Sequence, residues 1–151
     1  MTTVPESSEP RCYVAFSVFG TGLDLDYISR SLGLSPSESH VAGDADRSGR
    51  PYPRDRWGLN SPLTPTETLD AHLNWLRQRL QPHSEYLRSL VGKAELRVYI
   101  GFTFRCEQNG FSISPENLKF FTELNLPIEV TILCGPEIPL PTNATTATGC
   151  G

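Results

Sequence analysis

The segment from Gly43 to Arg56 sets Asp44, Asp46 and Asp55 against Arg47, Arg50, Arg54 and Arg56, among glycine, serine and proline, and runs into Trp57-Gly58-Leu59. Two kinds of chemistry suit those residue types. Asp44, Asp46, Ser48, Gly49 and Asp55 fall at ligand positions of a calcium-loop template. The template fails in its details, because the last ligand is an aspartate in place of a bidentate glutamate and Pro51 replaces the usual apolar residue. Four arginines also outweigh three aspartates there, a poor field for a dication. No metal is therefore expected. The second chemistry is recognition: guanidinium groups bind carboxylates and phosphates in a planar, bidentate way. Arg47, Arg50, Arg54 and Arg56, with Tyr52 as a stacking face, are the expected binding residues. Trp57 shares a strand face with Leu59 and is expected in the core, with Tyr52 covering it.

Other motifs supply no catalysis. His40, His72 and His83 lie on separate elements, and no serine occupies a Gly-x-Ser-x-Gly elbow, so no nucleophile–base pair can be named. Gly20-Thr21-Gly22 opens like a phosphate loop but lacks its third glycine and its Lys-Ser/Thr ending, which leaves a tight turn. Cys12, Cys106, Cys134 and Cys150 include no Cys-x-x-Cys pair. The first three are expected to pack near one sheet edge, with a disulfide or a thiolate metal site as the minor alternative, and Cys150 to be a free thiol in a tail. No catalytic residue and no cofactor follow from the sequence, and the chain reads as a non-enzyme.

The 151 residues carry a formal charge of −4, which disfavours nucleic acid as a partner. No apolar run approaches the roughly 18 residues that span a bilayer. The start of the chain is polar and acidic, unlike a secretory signal, so the cytoplasm is the expected compartment and no membrane partner is expected. Residues 1–10 and 135–151 read as disordered tails of low apolar content. Residues 11–134 read as a single domain.

Within that body, Tyr13 to Phe19 alternates as a strand, with Val14, Phe16 and Val18 inward. Asp24 caps a helix over Leu25 to Leu32, which Gly33 and Pro36 terminate. Short extended pieces follow at Ser39–Gly43 and Arg56–Ser61. Thr64-Pro65-Thr66-Glu67 has the form of a capping box, and Leu69, Leu73, Leu76 and Leu80 form an amphipathic stripe that Pro82 ends. Leu96, Val98, Ile100, Phe102 and Phe104 alternate strictly and predict a strand with one buried face. Ser114-Pro115-Glu116 starts another helix, with Leu118, Phe121, Phe120 and Leu124 as its apolar side. Ile128, Val130, Ile132 and Cys134 alternate as a half-buried strand. Ile28 to Leu34 is also echoed by Phe120 to Leu126.

Two strand–helix–strand halves joined by the helical segment Leu69–Val91 predict an α+β domain. Its sheet is expected to be four-stranded and mainly antiparallel, with interleaved halves and helices packed on one face, ferredoxin-like or related. The pattern Phe19-Gly-x-x-Leu23-Asp24-x-Asp26-x-Ile28, Leu32-Gly33-Leu34-x-Pro36, Gly43-Asp44, Trp57-x-Leu59 and Leu73 to Leu80-x-Pro82 resembles the bacterial domain-of-unknown-function family 4279 over residues 12–134. The resemblance implies a small, mostly stand-alone bacterial domain and brings no reaction, substrate or site residue. The expected function is a binding module for a protein partner, immunity-like or regulatory, acting through the loop of residues 43–56. The alternative is a small-anion or nucleotide-binding domain using the loop arginines.

Overall fold

The computed structural model describes residues 9–105 and 109–134. Both expected tails, apart from Glu9 and Pro10, and the residues Cys106 and Cys150 lie outside that range. The described elements run β1 (Arg11–Gly20), α1 (Leu25–Leu32), β2 (Glu38–His40), β3 (Asp55–Asn60) and α2 (Leu69–Leu80). A 3-10 turn (Gln81–His83), α3 (Ser84–Leu90), β4 (Glu95–Phe104), α4 (Pro115–Glu123) and β5 (Ile128–Cys134) follow.

The architecture is α+β, with a five-stranded mixed sheet in the order β2-β3-β1-β4-β5. β1 pairs antiparallel with both β3 and β4, β2 pairs antiparallel with β3, and β4 and β5 are parallel. The expected sheet therefore gains a strand and a parallel pair. The two halves are present, but they stand side by side, β2-β3-β1 next to β4-β5, and do not interleave. The reason lies in β3, which fills the gap between β1 and β2 and leaves no room for a strand from the other half.

The register decides which side chains are buried. Val14 faces Ile100, Phe16 faces Val98 and Leu59, and Val18 faces Leu96 and Trp57. These residues form one cluster with Ile28 and Leu32 of α1, the leucine stripe of α2, Leu87 of α3 and Phe120 and Phe121 of α4. The described helices thus bury their apolar sides against one face of the sheet and leave the other open.

Several local expectations change. Helix α2 begins at Leu69, with Thr68 as the cap accepting from Ala71 N at 3.1 Å; Thr64 instead opens a turn that returns the Glu67 N–H to its own carbonyl at 3.0 Å. On α4 Leu118 is exposed, and Asn117 takes the inward position with no exposure at all. Val130 and Ile132 of the outer strand β5 are also exposed. Cys12 is buried with a free thiol, as packing predicts, whereas Cys134 is disulfide-bonded and is no simple packing residue. The internal echo has a structural cause. Gly33 and Asn125 both adopt left-handed φ, 63° and 53°, and Leu34 and Leu126 donate back to Ser29 and Phe121 carbonyls, the same helix-ending motif twice.

Candidate functional site

The segment between β2 and β3 is a small hydrogen-bonded excursion. The Gly43 N–H bonds to the Tyr52 carbonyl at 2.9 Å, Tyr52 N–H to Asp44 at 2.8 Å and Asp46 N–H to Arg50 at 2.7 Å. Gly43 and Gly49 supply the positive φ that its two reversals require, 92° and 83°. Asp46 closes the tip: its Oδ1 accepts from Ser48 N, Ser48 Oγ and Arg50 N, and those bonds, led by the Ser48 hydroxyl, lower its pKa. Asp55 is buried and anchors the base. Its carboxylate accepts from the backbone N–H of Ala42 at 2.7 Å and of Leu23 at 2.8 Å, and these bonds hold its pKa below the usual carboxylate value. The aspartates that gave the calcium spacing are therefore aimed at backbone donors, Asp44 and Asp46 within the excursion and Asp55 also at Leu23 in the turn after β1.

Of the five expected binding residues, Arg47, Tyr52 and Arg56 line one hollow, and Arg50 and Arg54 lie outside it. Arg47 and Arg50 are exposed at the tip. Tyr52 does not cover Trp57; it stacks on His40, ring centroids 3.5 Å apart and 8° from parallel, so that an imidazole at the end of β2 takes the place of the indole. Burial first, and then the nearby Arg56 charge, keeps the His40 pKa low. Trp57 is fully buried as expected, and its indole N–H donates to Ser29 Oγ at 2.9 Å. Arg54 joins the open sheet face, and Arg56 stands between that face and the hollow under the excursion.

That face carries residues that the loop-centred reading left out. Arg56 donates to Ser17 Oγ from Nε at 3.2 Å and Nη2 at 3.1 Å, and to Glu38 from Nη1 at 3.0 Å. The guanidinium lies flat because Gly58 is beneath it: a Cβ there would meet Arg56 Nε and Nη2 at 3.3 Å. Arg97 pairs with Glu129 at 2.8 Å and also with Glu95, which pairs in turn with Arg54. The two arginines lower the Glu95 pKa, the Arg54 hydrogen bond first. The Arg54, Arg56 and Arg97 guanidiniums stand 4.7, 5.7 and 5.4 Å from the centre of the Phe19 ring. Tyr13 and Tyr99 meet edge to face at 6.1 Å, with Tyr99 running over Gly101. A hollow of about 360 Å3 opens between these groups, and the Glu38 and Arg56 that line it also line a second of about 750 Å3 under the excursion, together with Arg47 and Tyr52.

One sequence signal could have found this face. The residues alternating with the buried set on the long strand after Gly92 are Arg97, Tyr99 and Gly101, and those on the first strand are Tyr13, Ala15, Ser17 and Phe19. Only the pairing of β1 with β4 turns the two sets into one surface. A protein-family model described as "Domain of unknown function (DUF4279)" matches residues 10–135. No curated protein and no solved structure gives a significant match.

Proposed function

The chain belongs to the DUF4279 family, and from that premise we propose that it is a protein-docking module whose contact surface is the open sheet face with the adjoining β2–β3 excursion. The observation that carries this reading is the balance of charge on the face. Arg54, Arg56 and Arg97 are each in contact with a glutamate, from the set Glu38, Glu95 and Glu129. Three guanidiniums matched by three carboxylates offer no net field for phosphate or nucleic acid. Flat tyrosines and preordered arginines are the residue types enriched at the centres of protein interfaces. Of the loop arginines only Arg47 and Arg56 line one hollow, and Arg56 is already paired there with Glu38, which favours the same side of the choice. The reading makes the chain a binder without catalysis and keeps it in the bacterial cytoplasm. Among the described residues no helix is long and apolar enough to cross a membrane.

The test is site-directed photocrosslinking in the producing cell. A benzophenone amino acid at Tyr99 should give one discrete crosslinked protein, and Arg56→Glu on the same background should abolish it. The same probe at Glu85, on the exposed side of α3, serves as the control. No adduct from Tyr99, or equal adducts from both positions, would reject the docking reading.

A further inference from the structure

The hydrogen-bonding groups over the middle of the open face divide by position. At the floor stands Ser17, which is 3 % exposed and accepts two bonds from Arg56, so its own hydroxyl proton is left to point elsewhere. Around it are the Arg56 and Arg97 guanidiniums, each with donors beyond those in its present contacts, and the hydroxyls of Tyr13 and Tyr99. The fixed polar groups at the centre are therefore donors. The acceptors stand at the rim. Glu38 on β2 and Glu129 on β5 have half-exposed side chains, 50 % each, against 23 % for Arg56 and 30 % for Arg97. The arginines are the anchored members of these pairs: Arg56 lies along Gly58 and Ser17, and Arg97 is held from its other side by Glu95. Glu38 has one further contact, from Asn60 Nδ2 at the long distance of 3.5 Å, and solvated ion pairs of this kind hold only weakly, so both glutamates can swing outward.

We propose that the hollow over Ser17 is a carboxylate-binding site, and that Glu38 and Glu129 occupy its arginines until an acidic side chain or a chain-terminal carboxylate of the partner replaces them. The inference rests on the docking reading for the ligand's source and adds its chemistry. A carboxylate suits the site because carboxylates, those of Glu38 and Glu129, are what its two guanidiniums already hold. An incoming carboxylate that bridges both guanidiniums conserves the two ion pairs, and its desolvation is offset as both glutamates return to water. It also explains why the guanidiniums are pre-set: Ser17, Gly58 and Glu95 hold them in place before any ligand arrives.

The test follows the arginine Nε–H and backbone amide NMR signals of the whole chain during titration with a blocked acidic peptide, acetyl-Glu-Glu-amide. The expected result is saturable movement of the Arg56, Arg97 and Ser17 signals, lost in R56K. The double variant E38Q/E129Q should bind about three- to ten-fold more tightly, because both competing carboxylates are gone. The control E85Q/E123Q changes the net charge equally on α3 and α4 and should leave the affinity unchanged. Equal tightening in both double variants would reduce the effect to net charge and overturn the proposal. So would movement of the same signals by acetyl-Lys-Lys-amide, or by inorganic phosphate at lower concentration than the acidic peptide. Crosslinking at Tyr99 without carboxylate binding would sink this inference alone. Carboxylate binding without a crosslinked partner would sink the docking reading alone and leave a small-carboxylate site.

Discussion

Asp55 accepts one backbone N–H from the turn after β1 and another from the start of the β2–β3 excursion, so one side chain ties two reversals to the end of β3. Those bonds favour the charged form, and the folded pKa lies below the unfolded one. The sign follows from linkage: the carboxylate contributes stability above the unfolded value of roughly 3.9, and that contribution is lost as pH falls through the lower folded value. Asp55→Asn should therefore lower the urea midpoint clearly at pH 7 and much less near pH 2. A gap that stays constant across that range would show that the charge is irrelevant. Asp55 also shows what sequence could and could not reveal at this scale. Its type and spacing marked it for ligation, but whether a carboxylate meets a cation or two amides depends on Leu23, far away in the chain. Ser17 was hidden for a similar reason. A serine at an alternating position reads as ordinary strand polarity until Arg56 is seen lying across it.

Caps and stripes were legible where the signal was local. Asp24 and Ser114 cap as expected, their side-chain oxygens accepting from Tyr27 N and Asn117 N, and the stripe of α2 is buried along its length. The capping box at Thr64 competed with a better cap four residues on, because Pro65 is drawn into a bond from Cys12 N at 2.7 Å and the chain must turn before it coils. Helix α4 was misread by one position. Its inward Asn117 accepts from Arg77 Nε at 2.9 Å and donates to Asp70 Oδ1 at 2.8 Å and Asn74 Oδ1 at 2.9 Å, a polar clip between α2 and α4. Apolarity cannot announce such a residue, since its burial depends on partners from another helix. Asn117→Ala should cost about 2–3 kcal/mol in urea unfolding, because half-buried groups on Asp70, Asn74 and Arg77 lose their partner at once. Leu118→Ala, at an exposed position, should change stability by less than about 0.5 kcal/mol. The reverse ranking would restore the apolar reading of this helix.

At the scale of the molecule, strand existence was written in the alternation of β1 and β4, while strand order was not. The three residues of β2 and the non-local pairing of β3 carry too little pattern to place them, so the expected sheet was one strand short and its halves were wrongly interleaved. The observed order puts β1 and β4 at the centre, between β2–β3 and β5. Amide hydrogen exchange should follow that order. The slowest protons should be in β1 and β4, around Phe16 and Val98, and those of β2 and β5 should exchange well before global unfolding. Faster exchange at Phe16 than at Ser39 would contradict the arrangement. The central position of β1 also has a price during synthesis. It is the first of the described strands to leave the ribosome, yet one of its two hydrogen-bonding sides finds its partner only when β4 has been translated, after both α2 and α3. Until then the nascent chain presents a long apolar strand with an open side, the kind of surface that chaperones bind. The order of translation therefore runs against the order of the sheet, and translation speed through α2 and α3 sets how long that side stays exposed.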